Sequence, residues 1–179
     1  MKPSDIIITE KGLDLLRSKK RIIHCEGVTG ASKSFYLGLK FFFDIFDSPK
    51  EYKQYVIAAS SVTIAEKMFI DNPSSFYTIF KNVCKHTSNG VGGNKIVVTT
   101  PTGEKTIYLV GYDDKARYKQ ILGLTVRGFL VEEIHTAGAE FVREMFTRVF
   151  RNSGFLYTSS NGGLPDLPIY RDYLNKARP

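Results

Sequence analysis

The run of residues 27–34 constrains the fold of this chain more than any other segment. It consists of Gly27, Val28, Thr29, Gly30, Ala31, Ser32, Lys33 and Ser34. The apolar residues before it predict a short buried strand at 22–26, and the residues after it predict a helix over 34–46. A glycine-containing loop that ends in Lys-Ser between a strand and a helix is typical of a P-loop, whose amides bind phosphate oxygens.

The loop predicts a site for phosphates and a metal ion. Lys33 is placed to reach the β- and γ-phosphates, and the Ser34 hydroxyl is placed to bind Mg²⁺. The match has one departure, because the pattern has glycine before the lysine and this chain has Ser32. A side chain there would crowd the phosphates or force a backbone conformation that glycine tolerates and serine does not. The alternative is a turn followed by a helix with an exposed Lys33.

The composition is that of a globular domain and indicates which kinds of partner to expect. The chain has 179 residues, of which 42% are hydrophobic and 24% charged, so we expect a globular domain with a core. The 25 Lys and Arg exceed the 18 Asp and Glu, and this net charge of +7 favours a polyanionic partner such as nucleic acid or nucleotide. The two cysteines are too few for a disulfide scaffold, and no Cys/His cluster indicates zinc. No apolar run has the length of a membrane span, so no membrane partner is expected.

Apolar periodicity predicts strands that alternate with helices. Further strands are predicted at residues 55–59, 95–99, 106–110, 128–131 and 154–158. Further helices are predicted at residues 12–19, 116–122, 138–150 and 169–174, and one more begins at Ser61 or Thr63 and runs to residue 70. Segments 95–99 and 106–110 form a β-hairpin, whereas 71–95 is interpreted as loop-rich, with a mobile loop at 89–94. The pattern predicts an α/β sandwich with a mostly parallel sheet, whose ligands bind at the carboxyl ends of the strands.

Two acidic residues directly follow a predicted buried strand. Residues 129–135 read Phe-Leu-Val-Glu-Glu-Ile-His, which places Glu132 and Glu133 at the carboxyl end of the strand. In a P-loop ATPase this position supplies one carboxylate for Mg²⁺ and a second for the attacking water. We therefore predict that Glu132 supports the metal and that Glu133 is catalytic. The alternative is that both acids cap the following helix and complement its positive end.

A third predicted strand end carries small polar side chains. They are Thr158, Ser159, Ser160 and Asn161, and two glycines follow them. These side chains could contact the γ-phosphate or its attacking water. The alternative is a turn, which Ser, Asn and Gly favour.

With these three motifs in order, residues 21–174 resemble the ATPase domain of the large terminase subunit, the DNA-packaging motor of tailed phages. Residues 119–133 look like the terminase segment that precedes and contains the Walker B strand. Residues 140–151 are similar to the helix that follows it, and residues 158–161 look like the coupling motif.

The resemblance implies a P-loop NTPase fold of the additional-strand, catalytic-Glu type, with helices on both sides of a mostly parallel sheet and an inserted β-hairpin. It implies ATP and Mg²⁺, double-stranded DNA as the moved substrate, a homo-oligomeric ring on a portal protein, and the cytoplasm of an infected bacterial host. It also admits a small terminase subunit as a partner. Residues 1–20 are then a lead-in and 21–179 the ATPase domain, without the nuclease domain of a full terminase.

Carried over by position, residues 27–34 and Asn161 bind the nucleotide, Ser34 and Glu132 bind the metal, and Lys33 and Glu133 act in catalysis. Besides Ser32, two positions depart from the family: Glu132 replaces Asp, and Thr29 stands where many terminases have an arginine. The missing charge is expected from a neighbouring subunit. The candidates are Arg148, then Arg143 and Arg151. The alternative for each arginine is a solvated basic helix face that touches DNA phosphate.

Two other functions stay open at this point. One is another P-loop DNA translocase or a helicase-like ATPase. The other is a degenerate P-loop domain that binds DNA or a protein ring without hydrolysis. Ser32 favours the degenerate domain, whereas the intact Lys33, Ser34 and Glu133 argue against it.

Overall fold

A computed structural model describes residues 8–88, 93–114, 123–162, 167 and 169–174, which build one seven-stranded sheet with helices on both faces. The strands are β1 (Ile22–Glu26), β2 (Gln54–Ala59), β3 (Cys84–Thr87), β4 (Lys95–Thr100), β5 (Gly103–Gly111), β6 (Val126–Val131) and β7 (Phe155–Ser160). The helices are α1 (Glu10–Arg17), α2 (Lys33–Phe46), α3 (Val62–Phe69), α4 (Phe76–Ile79) and α5 (Ala139–Arg151), with a 3-10 turn at Ile134–Thr136 and a π-helical turn at Tyr170–Leu174.

The strand order is β1-β7-β6-β2-β5-β4-β3. The strands from β1 to β5 in this order run parallel, and β4 and β3 extend the sheet antiparallel. The last of the described strands, β7, therefore lies between β1 and β6. Strand β1 leads into residues 27–34, here called the phosphate loop, and β6 leads into Glu132 and Glu133, here called the acid pair. The inserted strand β7 is the additional strand that the resemblance implied. The prediction of a mostly parallel sheet with an inserted hairpin is confirmed.

Two apolar layers hold the helices to the sheet. On one face, α2 buries Leu37, Phe41 and Ile45, which are spaced by one helical turn and belong to the same cluster as residues of α3 and α4. On the other face, α5 buries Phe141 and Met145 at the same spacing, in a cluster that includes the π-helical turn. The predicted sandwich therefore has helices on both faces of the sheet.

Local contacts explain where several helices begin. The Ser61 hydroxyl accepts a hydrogen bond from the Ile64 amide at 3.3 Å, so Ser61 caps α3. Of the two predicted starting residues, Ser61 and Thr63, it is therefore Ser61. Helix α1 packs closely on α2, and only glycine fits at the contact: a Cβ at Gly12 would lie 2.1 Å from the Tyr36 ring. The Tyr36 hydroxyl also accepts from the Thr9 amide at 2.9 Å. The described part of the predicted lead-in, residues 8–20, is thus attached to the helix that follows residues 27–34.

Two predictions of local structure need correction. The segment 71–95 is not loop throughout, because it contains α4 and β3, and β3 is held by pairing with β4. Strand β1 is half-buried and not buried, because it lies at the edge of the sheet. The short helix predicted at 169–174 is confirmed, and it is a π-helical turn. The predicted helix at 116–122 and residues 89–92 of the predicted mobile loop lie outside the described residues. Within the described part of the chain, every helix is too short or too polar to cross a bilayer.

Candidate nucleotide-binding site

The three sequence motifs lie together at the carboxyl ends of neighbouring parallel strands. Glu26 of β1 pairs with Ser160 of β7, and Thr158 of β7 pairs with Val131 of β6, so the carboxyl ends of these strands lie side by side. The Gly27 amide donates to the Ser160 carbonyl at 3.3 Å, which fixes the start of the phosphate loop against β7. Residues 158–160 belong to β7, so the alternative that this polar segment is only a turn is wrong for them.

The phosphate loop contains two residues with a left-handed backbone. Gly30 has a φ of +86° and Ser32 has a φ of +55°. This conformation costs a residue with a Cβ roughly 1–2 kcal/mol, whereas glycine adopts it freely. Ser32 therefore takes a backbone that glycine reaches more easily, which agrees with the preference of the pattern for glycine at this position.

The Lys33 ammonium group lies over the phosphate loop. It donates hydrogen bonds to the Gly27 carbonyl at 2.7 Å, to the Val28 carbonyl at 2.9 Å and to Oδ1 of Asn161 at 3.0 Å. A lysine that followed a simple turn would extend into solvent, and this one folds back onto the loop. Its positive charge therefore lies beside the loop that the sequence predicts to bind phosphate.

Ser34, at the start of α2, meets the first acid of the pair. The Ser34 hydroxyl donates to Oε2 of Glu132 at 3.0 Å, and the Ser159 hydroxyl donates to the same oxygen. Burial raises the pKa of Glu132, while these two hydrogen bonds lower it and the neighbouring charge of Glu133 raises it further. The sequence prediction brought Ser34 and Glu132 together as a metal site, and their side chains are in direct contact.

Glu132 has one carboxylate oxygen that lacks a donor. The residue is 3% exposed, and no hydrogen bond reaches its Oε1 from any residue that the structure describes. A buried carboxylate oxygen without a partner is costly, and a bound cation removes that cost. Carboxylate and hydroxyl oxygens suit Mg²⁺, which binds oxygen ligands. Ser34 and Glu132 therefore fit the magnesium ion that the fold implies.

Glu133 is joined to Lys33 through Asn161. The Asn161 Nδ2 donates to Oε1 of Glu133 at 2.6 Å, while its Oδ1 accepts from the Lys33 ammonium. The Glu133 backbone is left-handed, with a φ of +48°, and its amide donates to the Ser159 hydroxyl at 3.1 Å. Glu133 precedes the 3-10 turn but makes no side-chain cap bond to it, and α5 begins only after Gly138, so the acids do not cap α5.

Tyr112 supports the acid pair from behind and was not predicted from the sequence. Its hydroxyl lies 2.6 Å from Oγ1 of Thr136 and donates to the Glu133 carbonyl at 3.3 Å, across the turn that follows β6. The available signal was its position, since Tyr112 directly follows β5 at the same edge of the sheet. A polar aromatic residue at a strand end is a weak signal, because buried tyrosines commonly bond nearby backbone.

A cleft of about 500 Å³ opens in front of these groups. It is lined by loop residues 29–34, both acids, Ser159 and Asn161. Its remaining wall comes from five residues that the sequence analysis did not identify as site residues, namely Phe35, Tyr36, Met68, Asn72 and Ser74. A volume of roughly 300–1,000 Å³ is typical of small-molecule sites, so the cleft is large enough for a nucleotide.

The predicted arginines lie outside this cleft. Arg148 donates from Nη1 to the Leu124 carbonyl at 3.3 Å, and its Nε lies 3.8 Å from a carboxylate oxygen of Glu144. Arg143 and Arg151 are exposed on α5. The structure thus brings together Lys33, Ser34, Glu132, Glu133 and Asn161, and it does not add an arginine to them within the chain. The role of Arg148 stays a prediction about a second subunit.

Comparisons with known proteins were made by sequence and by structure. No protein-family model and no curated protein matches the sequence. The large terminase of a thermophilic bacteriophage matches in structure with a TM-score of 0.82 at 18% identity, over 96% of this chain and 43% of that chain. The fold is that of a large terminase ATPase domain. The resemblance seen in the sequence is confirmed at the level of the fold.

Two other large terminases support the same fold. The ATPase domain of the Thermus phage P74-26 enzyme has a TM-score of 0.60 at 15% identity, over 89% of this chain and 72% of that one. The large terminase of bacteriophage HK97 has a TM-score of 0.64 at 13% identity, over 96% of this chain and 37% of that one. The chain therefore spans less than half the length of two of these terminases.

Proposed function

We propose that this chain is the ATP-hydrolysing motor domain of a large terminase, which moves double-stranded DNA into a procapsid. The observation that carries the proposal is the Asn161 bridge between Lys33 and Glu133, beside the contact of Ser34 with Glu132. It gathers a phosphate-binding cation, a carboxylate for water and a metal-binding pair in one cleft. The thermophilic phage terminase has been solved in complex with ATP-γ-S, which supports ATP as the nucleotide.

The proposed reaction is attack of water on the γ-phosphate. Glu133 orients the water and accepts its proton as the water oxygen bonds to the γ-phosphorus. The bond from that phosphorus to the bridging oxygen breaks, and ADP leaves with the electron pair. Lys33 balances the charge on the phosphate oxygens, and Asn161 binds at the γ-phosphate end. Mg²⁺, when bound, supplies further positive charge to the phosphates, and Ser34 and Glu132 would hold it.

The proposed motor acts as a homo-oligomeric ring on a portal protein in the cytoplasm of the infected host, with a small terminase subunit as a further partner. An arginine from the neighbouring subunit, first of all Arg148, then completes the site. The net charge of +7 suits contact with the DNA backbone, which is independent of sequence and weakens with salt. The lead-in at 1–20 and the domain at 21–179 stay predictions.

The left-handed backbone at Ser32 supports hydrolysis over the degenerate alternative. That alternative depended on a side chain at Ser32 disturbing the loop. The observed φ of +55° is a conformation open to glycine, and Lys33 and Ser34 directly after it contact Asn161 and Glu132 in the cleft. Another P-loop translocase would share this chemistry, but the likeness to terminase ATPase domains gives it no separate support.

Calorimetric titration with a non-hydrolysable ATP analogue, with and without Mg²⁺, tests the proposal. We expect Mg²⁺-dependent binding by the wild type, and about 10–100-fold weaker binding by Lys33→Ala because hydrogen bonds to a charged group are lost. Glu133→Gln should retain binding and lower phosphate release by about 10²–10⁴-fold, since it removes the general base. Lys85→Ala, an exposed lysine of β3, is the control and should change neither quantity.

Two results would contradict the proposal. Absence of binding by correctly folded wild type would remove the nucleotide site. Binding without any turnover that Glu133→Gln can reduce, even in the assembled ring, would favour the non-hydrolysing domain.

A further inference from the structure

We infer that Ser159 is the residue that positions both acids of the pair, through a single hydroxyl group. The Ser159 hydroxyl donates to Oε2 of Glu132 and accepts from the amide of Glu133. The consequence for catalysis rests on the function proposed above, whereas the positioning itself can be measured without nucleotide.

The position of Ser159 in the sheet makes this double contact possible. Ser159 lies near the carboxyl end of β7 and is 1% exposed. Strand β7 lies directly beside β6, which ends where the acids begin. A serine hydroxyl has one proton to donate and lone pairs to accept. Here the proton goes to one acid and a lone pair receives the amide of the next, so the hydroxyl has a fixed orientation.

The contact to Glu132 determines which oxygen that carboxylate offers. Ser34 and Ser159 both donate to Oε2, and this leaves Oε1 without a donor among the described residues. Loss of the Ser159 hydroxyl would leave Ser34 as the one described donor to Oε2, so the carboxylate could rotate more freely about its terminal torsion, which is broad. The oxygen available to a metal ion would then no longer be fixed.

The contact to Glu133 acts on the backbone and not on its carboxylate. Glu133 has a φ of +48°, and the Ser159 hydroxyl accepts from its amide at 3.1 Å. Such a backbone persists only where its surroundings hold it. Asn161 contacts the Glu133 carboxylate instead, so Ser159 sets where the side chain begins and Asn161 contacts its end.

Ser48 is a matched control in the same chain. It is also a buried serine, its hydroxyl donates to the Ile45 carbonyl at 2.7 Å, and it accepts from the Tyr55 hydroxyl at 2.7 Å. It lies after α2, outside the set of residues that line the cleft. Ser48→Ala therefore removes a buried hydroxyl with the same two hydrogen-bonding roles and leaves the acid pair intact.

The first test is amide hydrogen exchange of Glu133 measured by NMR without nucleotide. We expect Ser159→Ala to speed exchange at the Glu133 amide by about tenfold or more, because its acceptor is removed. Ser48→Ala should leave that amide unchanged. An unchanged Glu133 amide in Ser159→Ala would overturn the positioning role, whether or not the chain binds ATP.

The second test is catalytic and uses the same variants with ATP and Mg²⁺. Removal of a group that orients a metal ligand typically lowers activity or metal affinity by about 10–100-fold, so we expect kcat and Mg²⁺ affinity to fall in this range in Ser159→Ala. KM for ATP should stay nearly constant, because the phosphate loop is untouched. Ser159→Thr, which keeps the hydroxyl, should restore kcat, and Ser48→Ala should keep the wild-type value.

The two tests separate the two claims. Wild-type kcat and Mg²⁺ affinity in Ser159→Ala would overturn the inference. Failure of the wild type to bind ATP would instead overturn the proposed function, and the exchange measurement would still decide whether Ser159 holds the acids. Ser159→Cys, which keeps the shape and has a weak donor, replaces the alanine variant if the latter does not fold, and an intermediate kcat is then expected.

Discussion

Two polar regions lie at opposite ends of the strands: one near the amino ends of β2 and β5, and the nucleotide cleft at the carboxyl ends of β1, β7 and β6. Of the two, only the cleft has a buried polar group without a partner among the described residues. We call Ser48, Tyr55 and Lys105, near the amino ends of β2 and β5, the amino-edge cluster. Lys105 is fully buried, and its ammonium donates to the carbonyls of Pro49 at 2.5 Å and Tyr52 at 2.8 Å. The Tyr55 hydroxyl donates to Ser48 at 2.7 Å. In the nucleotide cleft, by contrast, a buried carboxylate oxygen has no donor among the described residues.

The backbone shows the same difference. Of the non-glycine residues described with a positive φ, Ser32 and Glu133 lie in the cleft, and Ser153 follows the end of α5. The Ser153 conformation has a local cause, because it lets the Gly154 amide donate to the Val149 carbonyl at 2.7 Å and so terminate the helix. Ser32 and Glu133 terminate no helix. Strain and an unmet hydrogen-bond demand thus coincide where ligands are proposed to bind, while the amino-edge cluster only holds loops together.

The largest effect on stability is expected at the amino-edge cluster. Lys105→Ala should lower the free energy of unfolding by about 3 kcal/mol, because a buried side chain leaves a cavity and two carbonyls lose their donor. Affinity for the ATP analogue should not change below the unfolding transition.

Ser34→Ala is the counterpart in the cleft, with a stability loss of about 1 kcal/mol and a loss of Mg²⁺-dependent affinity. Urea denaturation measures the free energy of unfolding, and calorimetry measures affinity for the analogue. Reduced affinity in folded Lys105→Ala would mean that the amino-edge cluster also affects binding.

A smaller gain is expected where the left-handed backbone is relieved. Ser32→Gly and Ser153→Gly should each raise the free energy of unfolding by up to about 1 kcal/mol, since glycine adopts a positive φ without strain. Only Ser32→Gly should also alter affinity for the ATP analogue, because Ser153 lies at the opposite edge. Thermal unfolding with and without the analogue separates the two responses. Equal changes in affinity would mean that strain in the loop is unrelated to binding.

The sequence predicts the central, parallel part of the sheet better than its edge. Strands β2, β6 and β7 are mostly buried and each contains an apolar run, so the sequence pattern identifies them. Strand β3 has four residues, of which only Cys84 is buried, and its extended form depends on pairing with β4. Such pairing is a tertiary contact that no local pattern encodes. The segment was therefore predicted as loop.

The same limit applies to the site. Motif spacing predicted which residues lie together at the carboxyl ends of the strands, because parallel strands end on the same side of the sheet. It did not predict that one amide, Asn161, contacts both Lys33 and Glu133, since those contacts span 128 and 28 positions in the chain. The hydroxyl of Tyr112 was missed for a related reason. Its partners become neighbours only when β5 and β6 take their places on either side of β2.

The smallest expected effect concerns the two free thiols, which compare the strand beside the cleft with the edge strand farthest from it in the strand order. Burial raises the pKa of Cys25, on β1, to about 11 and that of Cys84, on β3, to about 12. At pH 8 these pKa values leave about 0.1% and 0.01% thiolate, so alkylation by iodoacetamide should be slow at both and slower at Cys84. Each rate should rise about tenfold per pH unit up to the respective pKa, since only the thiolate reacts.

Binding of the ATP analogue should then slow Cys25 alone. The charge of Lys33 lowers the pKa of Cys25, although burial and Glu132 outweigh it. Phosphates bound at Lys33 without Mg²⁺ would cancel that favourable charge, so the Cys25 thiolate becomes rarer and its alkylation slower. Mg²⁺ beside Glu132 would act in the opposite direction, because it offsets the charge that raises the Cys25 pKa. Cys84 lies on the far edge strand and should keep its rate, which makes it the internal control. Mass spectrometry of the labelled peptides reads both sites in one sample. Equal slowing at both cysteines would indicate a general tightening of the fold, and the electrostatic link between the nucleotide and β1 would be wrong.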